Sequence, residues 1–308
     1  MATRSVSGTL QTPRLDAVRL RSAALVVLAG ALWSTGGVLV RLVESADGRQ
    51  IVLWRSLFTA LLILAVLAWR RRGGLLANLV ALGWYGPLAG VCLVGAFLGF
   101  VEAVLRIPVA NALFILASQP LLAAGFGWLL LGERPRGATL LAMPLALSGI
   151  VLMVAPGLGP ADPVGSLCAF GSALGFALFS VALRGAPATD KTPAVLQGAL
   201  LAALACAIIL IANAGPAALL IPPQDIALCA VMGIGQIGLG MLAFAAGARH
   251  LTAAELGLLA LSEVVLGPVW AWLVLGEIPA IATLAGGALV LVAVAGQVTA
   301  GAGMRPRS

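Results

Sequence analysis

Long uncharged runs, broken by short clusters of charge, set the pattern of this chain. They cover Ser22 to Val40, Gly73 to Val101, Ile107 to Gly132, Gly137 to Ala161, Pro163 to Leu183, Thr192 to Gln224, Ile226 to Ala248 and Ile278 to Met304. Two further segments, Ile51 to Trp69 and Leu251 to Gly276, are equally apolar except for Arg55, Glu255 and Glu263. About 20 apolar residues suffice to cross a bilayer as a helix, so the pattern predicts ten spans. Each run is far longer than a barrel strand, and backbone polar groups in lipid must pair within their own segment. The predicted fold is therefore an all-α integral membrane protein of ten transmembrane helices.

Composition agrees with this reading. Of 308 residues, 61% are strongly apolar and 9% are charged, where soluble domains carry about 25% charge. That excludes an ordinary soluble domain. The net charge of +7 comes from arginines and a single lysine, Lys191, placed between the apolar runs, so it reads as membrane topology and not as a nucleic-acid surface. Cys92, Cys168, Cys206 and Cys229 are far apart in uncharged runs and form no disulfide or metal framework. His250 is the sole histidine, so no metal site and no cofactor are expected.

The basic residues also orient the chain. Arg4, Arg14, Arg19, Arg21, Arg70 to Arg72, Arg134, Arg136, Arg184, Lys191, Arg249, Arg305 and Arg307 fall on one side of a ten-span arrangement, against Arg41, Arg49, Arg55 and Arg106 on or near the other. The positive-inside rule then predicts both termini in the cytoplasm. The polar stretch before the first run lacks the form of a cleavable signal, so that run is read as a retained helix.

An internal repeat organises the spans. WLLLGERP from Trp128 returns as WLVLGEIP from Trp272, an offset of 144 residues that also pairs Phe100 with Phe244, Arg106 with His250, Ser118 with Ser262 and Gln119 with Glu263. Five spans per repeat is an odd number, so the second half enters the membrane inverted. The expected units are a cytoplasmic tail (1–21), a first five-helix repeat (22–155), an external linker (156–163), a second five-helix repeat (164–300) and a cytoplasmic tail (301–308).

With two five-helix halves, paired LGERP and LGEIP turns and an arginine in the second span, the chain resembles the EamA family of the drug/metabolite transporter superfamily, over about Ala23 to Ala300. Its size and helix pattern are similar to YddG-type bacterial amino-acid exporters. The resemblance implies export of small metabolites by alternating access across a bacterial inner membrane. The second-half position matching Arg55 is near Ala199, so that arginine belongs to no symmetric pair.

The few polar residues within spans are the candidates for transport. Ser118 and Gln119 fall near the middle of the fourth span, and Ser262 and Glu263 at the same depth in the ninth. Inverted repeats bring such equivalents around one midplane site. An ionised carboxylate at the membrane centre costs roughly 3 kcal/mol on insertion scales, so Glu263 must face protein or water, and it could bind a substrate ammonium or a coupling proton. Trp33 and Ser34, with Phe176, could form an aromatic wall, while Asn111 and Gln236 could hydrogen-bond a substrate or another helix. Pro120, Gly238 and Pro268 could give helix flexibility. Arg41, Arg55 and Glu102 lie toward the outer face and form a possible outer gate, while Glu255 is expected at an exposed cytoplasmic end.

Gly233, Gly235 and Gly238 satisfy a dinucleotide-binding spacing, but they sit in the eighth span with no preceding strand. Lys191 follows Asp190, where a phosphate loop would need glycine. No HExxH or GxSxG occurs, so an intramembrane enzyme is disfavoured and no catalytic residue is assigned. The leading expectation is a secondary exporter of amino acids or similar metabolites. A drug, sugar or nucleotide-sugar transporter is the alternative. The expected partners are a small-molecule substrate and membrane lipid, with no nucleic acid, in a monomer or weak homo-oligomer.

Overall fold

The computed structural model describes residues 12–70, 80–107, 112, 115–133, 137–154, 162–187, 190–275 and 281–302. Among these, every regular element is helical. The α-helices are α1 (Thr12–Trp33), α2 (Gly36–Arg41), α3 (Gly48–Arg70), α4 (Tyr85–Arg106), α5 (Gln119–Leu131), α6 (Gly137–Val154), α7 (Pro163–Gly185), α8 (Thr192–Ala214), α9 (Pro223–Ala230), α10 (Gly240–Gly247), α11 (Ala253–Ala260), α12 (Ser262–Leu275) and α13 (Ile281–Ala302). A π-helical segment, Val231–Leu239, joins α9 to α10 without a loop, and a short 3-10 turn covers Pro216–Leu219.

Among the described residues, seven stretches are long and apolar enough to cross a membrane: Ala17–Arg41, Gly48–Arg70, Tyr85–Arg106, Pro163–Gly185, Thr192–Ala214, Pro223–Gly247 and Ala253–Val274. Three shorter apolar helices, Gln119–Leu131, Gly137–Leu152 and Leu284–Gly296, lie in the fourth, fifth and tenth predicted runs. Leu61, Trp69, Leu129, Leu141, Ile208 and Val292 are exposed, as side chains facing lipid would be. The protein is an all-α multi-pass membrane bundle.

With little hydrophobic drive between helices in lipid, close approach depends on small residues. A Cβ on Gly99 of α4 would stand 2.6 Å from the Cys168 carbonyl of α7, and one on Gly175 of α7 would stand 2.6 Å from the Cys92 carbonyl of α4. Between these glycines Ser172 Oγ donates to the Ala96 carbonyl at 2.8 Å. The two backbones therefore touch along a reciprocal seam. α6 and α13 approach similarly, Gly149 lying against the Gly286 carbonyl.

Several predicted spans are not continuous helices. The first breaks at the Ser34–Thr35 turn, the fourth turns at Ala117–Ser118 before α5, and the ninth turns at Leu261 between α11 and α12. Pro120 explains the fourth, since a proline fits the first turn of a helix but not its interior. Pro268 lies inside α12, seven residues beyond the ninth-span turn, so it is not what breaks that span. The eighth keeps its axis but swells into the π-helical segment holding Gly238. At the far end of α5, Gly132 takes a left-handed φ of 67° and the Glu133 N–H reaches back to the Gly127 carbonyl at 3.1 Å, capping the helix. The LGEIP turn and the linker up to residue 161 lie outside the described residues.

Candidate functional site

The four interruptions open onto one place. A cavity of about 70 Å³ is lined by Trp33 at the end of α1, Gln236 in the π-helical segment, Gln119 at the start of α5 and Glu263 in the first turn of α12. Irregular backbone at membrane depth is tolerated where protein or a cavity satisfies it. The polar side chains at these interruptions do part of that work. Gln236 Nε2 donates to the Trp33 carbonyl at 3.0 Å, at the α1 break. The Thr59 hydroxyl is shared between the Arg55 carbonyl at 2.9 Å and the Gly233 carbonyl at 2.8 Å, clasping α3 to the π-helical segment.

The rest of the lining is aromatic, aliphatic, small or charged. Phe97, Phe100 and Phe176 contribute rings, and Ser172 and Ala260 keep space. Trp33 meets Phe176 edge-on with centroids 5.2 Å apart, and Phe244 lies 5.4 Å from Trp33 and 5.2 Å from Phe176. Such pairs add about 1 kcal/mol each beyond their burial, which makes this wall rigid. Arg55 also lines the cavity. Drug-sized ligand pockets run to several hundred Å³, so the cavity as it stands holds only a few waters and must widen around any solute.

The sequence candidates divide accordingly. Trp33, Gln119, Phe176, Gln236 and Glu263 line the cavity. The serines expected beside them do not; their hydroxyls turn to helix carbonyls. Ser34 Oγ donates to Ala31 at 2.6 Å and accepts from Trp270 Nε1 at 2.8 Å, Ser118 Oγ donates to Ile115 at 2.7 Å, and Ser262 Oγ donates to Val27 at 3.4 Å. Asn111 lies outside the described residues.

Arg55 is placed differently from the expected outer gate. Its side chain is 2% exposed and turned inward from α3, with Nη2 3.4 Å from the Phe97 carbonyl and its guanidinium carbon 5.1 Å from the Phe97 ring centre. Glu102 instead belongs to an exposed ladder, 3.3 Å from Arg106 and 3.7 Å from Arg49, with Arg106 3.9 Å from Asp162. Arg41 is an exposed residue in the last turn of α2. Arg55 was visible in the sequence as a charge interrupting a span. Its inward direction had a signal in Ser56 and Thr59, which share its helix face and are buried with it.

The opposite end of the bundle is charged and basic. Asp190 lies 3.7 Å from both Arg70 and Arg249, and Arg184 pairs with Glu133 at 2.8 Å. Arg70, Thr192 and Arg249 border a second, open cavity of about 390 Å³. Burial raises the Asp190 carboxyl, but hydrogen bonds from Thr192 and the charges of Arg70 and Arg249 outweigh it, leaving its pKa below the usual value. Lys191 donates to the Ala186 carbonyl and is 6% exposed.

Burial, with Arg184 and Arg249 nearby, lowers the Lys191 ammonium from 10.5 to about 8. A lysine depressed in this way costs stability while protonated in both states. The cost fades as pH rises from about 8 toward 10.5, because the folded state releases its proton first. Lys191→Met is expected to raise the thermal midpoint at neutral pH and to flatten the upward slope above about pH 8. A wild-type midpoint that falls over that interval would contradict this.

Glu255 corrects another expectation. Instead of facing an exposed end it is 1% exposed, paired with Arg19 of α1 and engaged in a capping box with Thr252, whose N–H it accepts at 2.8 Å. The reason is its distant partner, which only the folded chain brings to the start of α11.

Comparison with known proteins follows this architecture. A solved crystal structure superposes with a TM-score of 0.71 at 22% identity, covering 90% of this chain and 96% of that one, and shares the fold. The pseudopaline exporter CntI of Pseudomonas aeruginosa is 29% identical over 278 residues, covering 87% of this chain and 93% of that protein. The EamA-like transporter family profile matches twice, over residues 20–155 and again over 163–299. The chain belongs to the EamA-like transporter family.

Proposed function

We propose that the small molecules moved by this secondary transporter are amino acids or similarly sized polar metabolites, exported by alternating access. The observation that carries this reading is the convergence of four helix interruptions, with Trp33, Gln119, Gln236 and Glu263, on one cavity. Half-helix ends and unwound turns are the usual way a transporter offers polar groups to a solute at mid-membrane. The aromatic wall suits an apolar side chain on that solute. Export as the direction is supported by the similarity to an exporter.

The same reading takes the bundle as ten spans in two inverted five-helix halves, with the short helices α5, α6 and α13 completing the fourth, fifth and tenth. The paired family matches, one in each half, support it. The end bearing Arg19, Arg70, Arg184, Lys191 and Arg249 is then cytoplasmic, with both termini there, in a bacterial inner membrane. Ser34, Ser118, Ser262 and Asn111 act as helix supports or widen the cavity as it opens, and Pro120, Gly238 and Pro268 ease that opening.

Counterflow of a labelled amino-acid panel into liposomes holding purified protein, with and without a pH gradient, tests this. Accumulation of at least one amino acid is expected, and no uptake of any would overturn the substrate class. Glu263 is the candidate coupling group. Glu263→Gln is expected to keep exchange, at weaker affinity, while losing the response to the gradient by about tenfold or more, as removal of the only carboxylate among the described lining residues would do. An unchanged gradient response would reject that role.

A further inference from the structure

The cavity contains an unusual collection of unused polar atoms. Trp33 Nε1, Arg55 Nε and Gln119 Nε2 are buried donors without a partner, and Gln236 Oε1 is a buried acceptor without one. All four residues line the same cavity, together with Glu263. Buried polar groups are almost always paired, so four orphans on residues that line one cavity point to a ligand that pairs them as the cavity widens.

Arg55 decides which ligand. Its guanidinium carries five N–H donors, and among the described residues one is used, to the Phe97 carbonyl at 3.4 Å. Among the described residues it has no carboxylate within ion-pair distance, and at 2% exposure it cannot snorkel to the membrane surface. A desolvated, uncompensated guanidinium is costly, and the group that compensates it best is a carboxylate met edge-on by two N–H bonds.

On the transport reading given above, we infer that Arg55 is the carboxylate-binding residue of the cavity, with Trp33 Nε1 and Gln119 Nε2 as supporting donors and Glu263 with Gln236 Oε1 facing the cationic end of the same solute. The occupant is thereby a zwitterion, with both charges within one small molecule and an apolar part against Phe97, Phe100 and Phe176. Sugars and uncharged drugs leave the guanidinium unpaired. Cationic drugs add a charge of the wrong sign.

The test separates binding from transport. Purified protein in detergent is titrated with the twenty L-amino acids, and each one that raises the thermal midpoint is compared with its amide, which keeps the ammonium and loses the carboxylate. At least one acid is expected to stabilise the wild type, with its amide weaker by tenfold or more, about the worth of a charge-assisted pair. Arg55→Met is expected to abolish that stabilisation while leaving the ligand-free midpoint unchanged or higher, since it removes a buried charge that no carboxylate among the described residues balances. A structural arginine would do the reverse: a lower ligand-free midpoint with the ligand response intact.

Should Arg55→Met fail to fold, Gln119→Leu and Trp33→Phe, which leave the charge in place, decide the matter. Each is expected to weaken the acid several-fold and leave the amide unchanged. Amides that bind as well as acids, or no stabilisation by any amino acid, would overturn the assignment. Acid-selective binding without transport in liposomes would keep this site and remove the transport reading. Transport of a solute that lacks a carboxylate would do the opposite.

Discussion

Gly233→Val is expected to cost about 3 kcal/mol or more and to abolish transport, although position 233 carries no chemistry of its own. A Cβ there would lie 2.3 Å from the Arg55 carbonyl oxygen and 2.6 Å from Phe58 Cβ. The first contact is with backbone, which cannot swing aside as a side-chain tip can. The π-helical segment would have to move off α3, and the Thr59 hydroxyl, now shared between the carbonyls of Arg55 and Gly233, would lose one of them. The segment holds Gln236 against the α1 break, so displacement passes straight to the cavity. Thermal unfolding in detergent and counterflow in liposomes measure the two effects. A variant with an unchanged midpoint would show that α3 and the π-helical segment yield more readily than close-packed interiors do.

Glu255→Ala is expected to cost about 3–5 kcal/mol, the range for breaking a buried ion pair from one side. The carboxylate is 1% exposed and Arg19 is 16% exposed, so water replaces little of what is lost. Two backbone consequences add to it. The Thr252 N–H loses its acceptor, and the capping box that starts α11 loses one of its two bonds. Arg19 is left with its Nε already unpartnered. In the double variant Arg19→Met, Glu255→Ala much of the loss is expected to return, because no buried charge then stands alone. Additive losses in the four-variant cycle would mean that the pair contributes nothing beyond its members.

The sequence made the long helices legible, because a run of about 20 uncharged residues has few other uses. It also made Gln119 and Glu263 legible as a pair, through the repeat offset, and both line the cavity. The interruptions were harder to read. Pro120 marks one, but the turn at Leu261 has no proline in the residues around it, and the π-helical segment has none at all. At the π-helical segment the Gly233 carbonyl is satisfied by Thr59 of α3, a tertiary effect with no local signature. The direction of Arg55 was legible only as a faint polar stripe, Ser56 and Thr59 sharing its face of an otherwise apolar helix. The burial of Glu255 rests on a partner 236 positions away.

The α4–α7 seam has a mechanical consequence. Backbones in contact at Gly99 and Gly175, with Ser172 bonded between them, cannot slide by a fraction of a residue, since every intermediate position drives a carbonyl into a chain. The two helices come from opposite halves of the sequence. We therefore expect them to turn together as a fulcrum while the broken spans do the bending, which predicts that spin-label distances across α4 and α7 stay constant under conditions that change distances across α5 and α12. A changing distance across the seam would remove the fulcrum and place the motion between the halves themselves.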